Sequence, residues 1–329
     1  MSPRRCDRPL TCLVVRIVPV EDEPLGHTPV LPAEVCELLD VRRGDIVVDA
    51  TVGAGGHAGL FVDRLGPEGI LIALDLDPAA LRLAKDALAA HTGRVEFLHA
   101  NFAELPAVLK SIGVDRVDVL FADLGVSSTQ LDDAERGFSF QRDGPLDMRM
   151  DPRLTVTAAD IINRLKEDEL GDLIYHNAQD VAARRIARRI CLVRRDGRIT
   201  TTGRLAEVVA EAVGVADPIS RKAKIHPATR TFLALRMEVN GEIPNLKALL
   251  AAAPGLLRPN GRIGVIAFHS VEDRTVKTDF RQRRQENIYR IVTKKPVTAS
   301  IEERAANPRS RSAKLRVAVR AEAGRCAVS

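Results

Sequence analysis

The sequence predicts an α/β protein, a mostly parallel sheet wound by helices and interrupted by an all-helical insertion. Three observations carry this prediction. From about residue 27, short β-rich runs alternate with amphipathic helical stretches, as βαβ units require. Between about Leu131 and Lys224 the strand signal vanishes, and strand-like runs then return at "GRIGVIAF" and "KLRVAV". The expected division is an N-terminal extension over 1–26, a core over 27–130 and 225–320, a helical insertion over 131–224 and a tail over 321–329.

The first strands are "DIVVDA", "GILIALDLD", "RVEFLHA" and "VDVLFADLG". After the second, Asp77 can cap a helix, Pro78 suits its first turn, and Leu81, Ala84 and Leu88 recur on one face. The polar, glycine-bearing run from Asp123 to Asp151 reads as neither helix nor strand throughout. Irregular connections longer than roughly 12–15 residues tend to be functional or disordered. This run's charges alternate in sign closely enough to pair internally, which argues for order. The insertion follows as helical segments, "TAADIIN", "EDELGDLIYHN", "DVAARRIARRICLV" and "RLAEVVAEAV". Helical "PATRTFLALRMEV" and "NLKALLAA" lead to the last strands, with a basic stretch around Arg281 to Lys295 between those strands.

With 329 residues, 45% hydrophobic and 28% charged, the chain can build a large core. Its 49 Lys and Arg against 44 Asp and Glu give +5, which identifies no partner. The distribution says more. From Val181 to Arg230, 12 basic residues face 4 acidic ones, and Arg184, Arg185, Arg188 and Arg189 lie at helical spacing beside Ile186, Ile190 and Val193. The five scattered cysteines form no C-x-x-C pair, so neither a zinc site nor a redox pair is expected and the setting is a reducing, cytoplasmic one. The apolar run "CLVV" is far short of the roughly 18 residues that span a bilayer, so no membrane role is expected. Residues 1–26 balance their arginines with Asp7, Glu21, Asp22 and Glu23 and read as an untargeted extension.

The chemistry is concentrated in "DATVGAGGHAG", Asp49 to Gly59, which follows the first strand and opens a helix. Glycines there permit positive φ and close ligand approach, and helix N-terminal amides offer donors. The spacing is not G-x-G-x-x-G. The next strand ends at Asp75, where a carboxylate can accept from both ribose hydroxyls. A nicotinamide dinucleotide and S-adenosylmethionine both fit a loop plus an acid. Asp49 favours the second, because a carboxylate repels pyrophosphate and accepts from ammonium.

At this point the chain resembles the RsmH (MraW) family of small-subunit ribosomal RNA methyltransferases, from "HTPVL" at His27 to "NPRSRSAKLR" ending at Arg316. The motifs that carry the resemblance are "DATVGAGGH", "DLGVSSTQLDDAERGFSFQRDGPLDMRMD", "KIHPATRTFLALR", "FHSVEDR" and "NPRSRSAKLR", in the family's order. The resemblance implies a Rossmann-like class I S-adenosylmethionine-dependent methyltransferase that modifies N4 of a decoding-centre cytidine in 16S rRNA. It implies that Gly55, Gly56 and His57 hold the methionine end, that Asp75 holds the ribose, and that Phe102 lies by the adenine; Asp49 and Gly53 of the same loop are also expected to bind the cofactor. Asp123 and Gln130 would complete the cofactor site.

Asp123 stands at the end of the fourth strand, where an acceptor for the cytosine amine belongs; serving the amine and orienting the cofactor both remain open. Phe138 and Phe140 of "GFSF" either stack on the base or anchor the loop. Arg184 and Arg188, with "RKAKIH", would contact rRNA phosphates. His226, Arg230 and His269 belong to family motifs, so site roles are expected for them without assignment. No metal-ligand cluster stands out in the spacing. The chain departs from the family at "NAQDVAARR", where relatives carry a Gly-Glu-Glu run. The rival readings are a non-catalytic rRNA-binding assembly factor that retains the pocket, and a methyltransferase of DNA or a small molecule.

Overall fold

The structure, a computed structural model, describes residues 28–214 and 226–322. The expected extension over 1–26, basic Arg221, Lys222 and Lys224, and tail residues 323–329 lie outside the described residues. Helix α1 (Pro32–Leu39) leads into β1 (Ile46–Asp49), α2 (Gly56–Leu65), β2 (Ile70–Asp75), α3 (Pro78–Leu88), β3 (Arg94–His99), α4 (Leu105–Ser111) and β4 (Val117–Asp123). The anticipated cap is formed, since Asp77 Oδ1 accepts from Ala79 N at 2.9 Å, and α3 buries Leu81, Ala84 and Leu88.

After β4 come the short α5 (Ser128–Asp132) and a helical unit of α6 (Ala158–Arg164), α7 (Glu167–Ala178), α8 (Ala183–Val193), α9 (Thr202–Val213) and α10 (Ala228–Val239). The chain then returns through α11 (Glu242–Leu256), β5 (Leu257–Ala267), α12 (Ser270–Gln285), β6 (Tyr289–Ile291), α13 (Ile301–Ala306) and β7 (Lys314–Arg320).

The seven strands form one sheet in the order β3-β2-β1-β4-β5-β7-β6. The first five run parallel, and β7 pairs antiparallel with both β5 and β6. This is the Rossmann-like, doubly wound architecture expected for a class I methyltransferase. Its two faces are covered by separate apolar layers, one built on Leu39, Phe61 and Leu81 and the other on Leu105, Leu250 and Phe280. The inner strands β1, β2, β4 and β7 are mostly buried runs rather than alternating ones, as a sheet covered on both sides demands, while the edge strands β3 and β6 are more open. Winding reverses between β1 and β4, so a crevice opens outside the carboxyl ends of these two strands.

The helical unit has its own core, in which Ile162, Ile174, Ile186 and Val208 meet. Ala228, Phe232, Leu235 and Val239 of α10 belong to that same cluster. The helical packing therefore runs past residue 224, the boundary expected from the sequence, because the apolar stripe of α10 finds α7 and not the sheet. The basic stretch around Arg281 to Lys295 takes in the last turn of the 16-residue helix α12 and edge strand β6.

The long run from Asp123 to Asp151 is ordered, but its charges do not pair mainly with one another. Asp147 and Arg149 do pair, at 2.6 Å. Arg136 instead reaches Asp77 at 2.8 Å and the carbonyls of Arg149 and Met150, and Asp143 accepts from Gly203 N at 2.7 Å. The loop is thus stitched to the start of α3 through Arg136 and to α9 through Asp143. Gly137 has φ +70°, and a Cβ there would sit 2.2 Å from the Pro145 carbonyl, so no other residue fits.

Asn240, at the end of α10, fixes the loop's far end. Its Oδ1 accepts from Met150 N at 2.7 Å and its Nδ2 donates to Met148 O at 2.8 Å, in a buried setting. Asn240→Ala leaves both backbone groups without partners and should lower unfolding free energy by about 2–4 kcal/mol. Denaturant titration checks this; a change below about 0.5 kcal/mol, the usual range of surface substitutions, would contradict it.

Candidate active site

A cavity of about 350 Å³ opens at the switch point. The turn after β1 and the last residue of β4 meet there, since Ala50 N donates to Phe121 O at 2.8 Å and Asp123 N donates to Thr51 Oγ1 at 2.7 Å. Residues far apart in number therefore share one end of the sheet. Gly53, Gly56, His57, Asp75, Phe102, Asp123 and Gln130, all singled out in the sequence, line this cavity.

Each is placed by its element. Gly53 adopts φ +54° and donates its N–H to Asp75 Oδ2 at 2.9 Å, while Asp77 N donates to Asp75 Oδ1 at 2.9 Å. Each carboxylate oxygen therefore keeps acceptor capacity toward the cavity. Burial pushes Asp75 up to about 6 despite these two donors. Gly55 has φ +92°, and a Cβ there would lie 3.3 Å from Ala84 Cα; glycine lets the start of α2 settle against α3. Gln130 closes the α5 cap, accepting from Ser127 N at 3.0 Å and donating to Asp77 Oδ2 at 2.9 Å.

His57 is buried, and its Nε2 lies 2.8 Å from Val30 O. A carbonyl only accepts, so Nε2 carries the proton. Burial pushes His57 down to about 4, which leaves it neutral, with the Nδ1 lone pair turned toward Asp123 Oδ2 at 3.6 Å. Asp123 is raised well above the usual carboxylate range, first by burial and then by the charges of Asp49 and Glu272. Its Oδ1 is sealed from solvent and receives no hydrogen bond, although 24% of the side chain is open to the cavity. Such an unpartnered oxygen is costly, and a donor or cation brought by a ligand relieves it.

The opposite wall comes from α10, α11 and α12. Arg236 grips Glu242 with two bonds of 2.7 and 2.8 Å. Glu272 accepts from Phe268 N at 2.8 Å and lies 3.1 Å from His269 Nε2. Burial works to raise Glu272, but His269, Arg236 and the Phe268 amide together hold it below its ordinary value. Ligand atoms of Glu242, His269 and Glu272 fall within 4.8 Å of one another, a trio that spacing did not suggest. Arg236 already engages both Glu242 oxygens, and the cluster reads as an ion-pair network rather than a metal site.

Among the described residues, Asp75, Asp123, Glu242 and Glu272 line the cavity against Arg236 and Arg309. This acidic balance suits a cationic ligand. A ribose acceptor at Asp75, glycine-turn amides, a flat apolar surface at Phe102 and an orphaned Asp123 oxygen fit S-adenosylmethionine.

Other expected site residues sit elsewhere. Asp49 is 1% exposed and does not line the cavity; it accepts from Thr51 N at 3.1 Å, and burial pushes it up to about 7. It acts on the site as a charge one layer behind. Gly55 also stands behind the wall, and His269 caps α12 just outside it. Phe138 lies in the helical core, and Phe140 packs against His226 with ring centroids 4.5 Å apart and edge-on to Phe232 at 4.9 Å, so both rings anchor the loop. Arg184 pairs with Asp172 at 2.5 Å and Arg188 with Glu167 at 3.9 Å, while Arg230 is exposed on α10. Phe138, Phe140, Arg184, Arg188, His226 and Arg230 all stand off the cavity lining. Sequence reasoning missed Arg236, although it closes the "KIHPATRTFLALR" motif, and Asn240, Glu242 and Asn245, which belong to no quoted motif; all four meet the site at the α10–α11 corner. Thr28 to Val30, in the "HTPVL" motif, had a usable signal.

Comparison with known proteins bears on the same residues. The model of the "MraW methylase family" matches residues 24–321. A ribosomal RNA small subunit methyltransferase H from Acidobacterium capsulatum is 48% identical over 299 residues, covering 89% of this chain and 97% of that protein. The protein of the same name from Koribacter versatilis is 48% identical over 305 residues, covering 91% and 95%. That from Geobacter sulfurreducens is 47% identical over 308 residues, covering 89% and 98%. With the family model spanning nearly the whole chain and relatives at this identity along their full length, the chain belongs to the MraW methylase family.

Proposed function

We propose that the chain methylates N4 of a cytidine in the 16S rRNA of the small ribosomal subunit, with S-adenosylmethionine as methyl donor. The observation that carries this reading is the convergence of Asp75 and Asp123 on one acidic cavity at the switch point. Its relatives are named for small-subunit rRNA, which supports the substrate class. When bound, S-adenosylmethionine supplies an electrophilic methyl group on a positively charged sulfur.

The rest falls to the chain's own residues. Asp75 accepts from the ribose hydroxyls, Gly53 and Gly56 give backbone access, and Phe102 covers the adenine. A cytosine amine is a weak nucleophile because its lone pair is delocalised into the ring, so it must be held in line and its N–H polarised. The Asp123 carboxylate accepts that N–H. It must be ionised to do so, and a cation in the cavity lowers its raised proton affinity. The proton released on methylation passes from the amine to Asp123. His57 keeps its tautomer through Val30, and its Nδ1 lone pair faces the Asp123 carboxyl as an acceptor once that carboxyl has taken the proton.

Asp123→Asn keeps the shape but loses the proton acceptor. It should lower kcat by roughly 10²–10⁴-fold, with folding preserved. Labelled S-adenosylmethionine supplied with naked rRNA, isolated small subunits and DNA reads both rate and target; label on DNA alone, or an Asn variant of normal rate, would refute the proposal.

A second expectation concerns pH. Asp75 in the cavity wall and Asp49 behind it are raised to about 6 and about 7, and a bound cation favours their ionised forms. Affinity for S-adenosylmethionine should therefore rise as pH increases through 6 to 7, with protons released on binding. The ligand-free protein should behave oppositely. Stability contributed by these raised carboxyls is full below their unfolded values, about 3.9, and is lost as pH rises through 6 to 7. Calorimetry across this range checks the first and thermal melts the second; affinity that falls with pH would contradict it.

A further inference from the structure

Helix α12 starts at the rim of the cavity, since Phe268 and Glu272 line it, and then runs outward. Between Arg274 and Lys295 the chain has eight basic residues, Arg274, Lys277, Arg281, Arg283, Arg284, Arg290, Lys294 and Lys295, against Asp279 and Glu286. Their arrangement on α12 separates by face. Asp273 turns inward to Arg316 at 2.7 Å, and Arg283 is shared between Asp279 and Glu286 at 3.6 and 3.4 Å.

Lys277, Arg281 and Arg284, spaced i, i+4, i+7, are exposed and pair with no carboxylate among the described residues. Arg274 heads the same stripe. In the amide orientation that satisfies its neighbours, Gln179 of the helical unit accepts from Arg274 at 3.1 Å and donates to Ser270. The row thus begins where helical unit and core meet, beside the cavity, and extends about 15 Å along the helix.

The basic helix singled out in the sequence is different. On α8, Arg184, Arg188 and Arg189 each face an acid, respectively Asp172, Glu167 and Glu211, which leaves Arg185 as the one member of that row with no carboxylate partner among the described residues. A cation already paired gains less from a phosphate, because one ion pair is exchanged for another. An unpaired one gains the full counterion-release term.

We propose that the Lys277–Arg281–Arg284 face of α12 is the phosphate-docking surface that guides rRNA into the cavity. This rests on the rRNA reading above and adds where the strand lies. Phosphate contacts of this kind fix register and orientation, and the cavity reads the base.

The test compares full-length wild type, Lys277→Gln/Arg281→Gln/Arg284→Gln and Arg184→Gln/Arg188→Gln for 16S rRNA affinity across a salt series, S-adenosylmethionine affinity and methylation. The α12 variant should bind rRNA roughly tenfold or more weakly, with the logarithmic salt slope reduced by about 2 to 3. Its S-adenosylmethionine affinity should be unchanged, and the α8 variant should keep the wild-type slope. Lys277→Arg/Arg281→Lys/Arg284→Lys, which retains charge, should bind normally. If the triple Gln variant melts early, Arg284→Gln alone should still reduce the slope by about 0.7 to 0.9.

A wild-type slope in the α12 variants, with wild type still methylating rRNA, overturns the docking surface and leaves the rRNA reading intact. Wild type that neither binds nor methylates rRNA, or binds acidic protein in its place, defeats the rRNA reading and the surface with it.

Discussion

Carboxyl groups held in a dry place govern this molecule. β1, β2 and β4 each end on an aspartate, and the parallel register brings those ends to the same edge of the sheet, where Asp49 stands level with Phe121 and with Ala73. Three acids so close, with little water, cannot all ionise without cost. The raised affinities of Asp49, Asp75 and Asp123 for protons record that cost. A ligand bearing positive charge offsets it, and selectivity for such a ligand is built into the sheet before any side-chain contact is considered.

Everything around the strand ends serves to keep them dry and fixed. Gly53 and Gly55 allow the β1 turn to bend close to β2 and α3. The long run after β4 is the cavity's second wall. Arg136 ties it to Asp77, Gln130 ties α5 to the same aspartate, and Asn240 ties its far end to α10. Because Asp77 also caps α3, one buried carboxylate joins a core helix to the loop that carries the helical unit. Movement of that unit would therefore be felt at Asp75, two residues away.

Much of this was legible in the sequence. The β-rich runs separated by amphipathic helices gave strands in the right places, because strands buried on both faces leave continuous apolar signatures. The glycine turn and Asp75 could be read because their chemistry dictates residue type at fixed positions. What could not be read depends on long-range packing. α12 buries little beyond Glu272, Val276 and Phe280, so its apolar stripe is too thin to announce a helix. α10 looks like any amphipathic helix, and nothing in its pattern says whether its partner is a sheet or α7. Arg184 and Arg188 looked like phosphate ligands because acids from α7, distant in number, are invisible in a one-dimensional charge count. The Arg236–Glu242 pair, only six residues apart, escaped because it forms across the α10–α11 corner, whose bend a linear pattern does not show.

The most direct measurement is a crystal structure with S-adenosylhomocysteine and cytidine bound together. The account predicts the cofactor ribose on Asp75 and the exocyclic amine of the base about 3 Å from the Asp123 carboxylate. A complex in which Asp123 touches neither molecule, or in which the base enters away from the ends of β1 and β4, would contradict it.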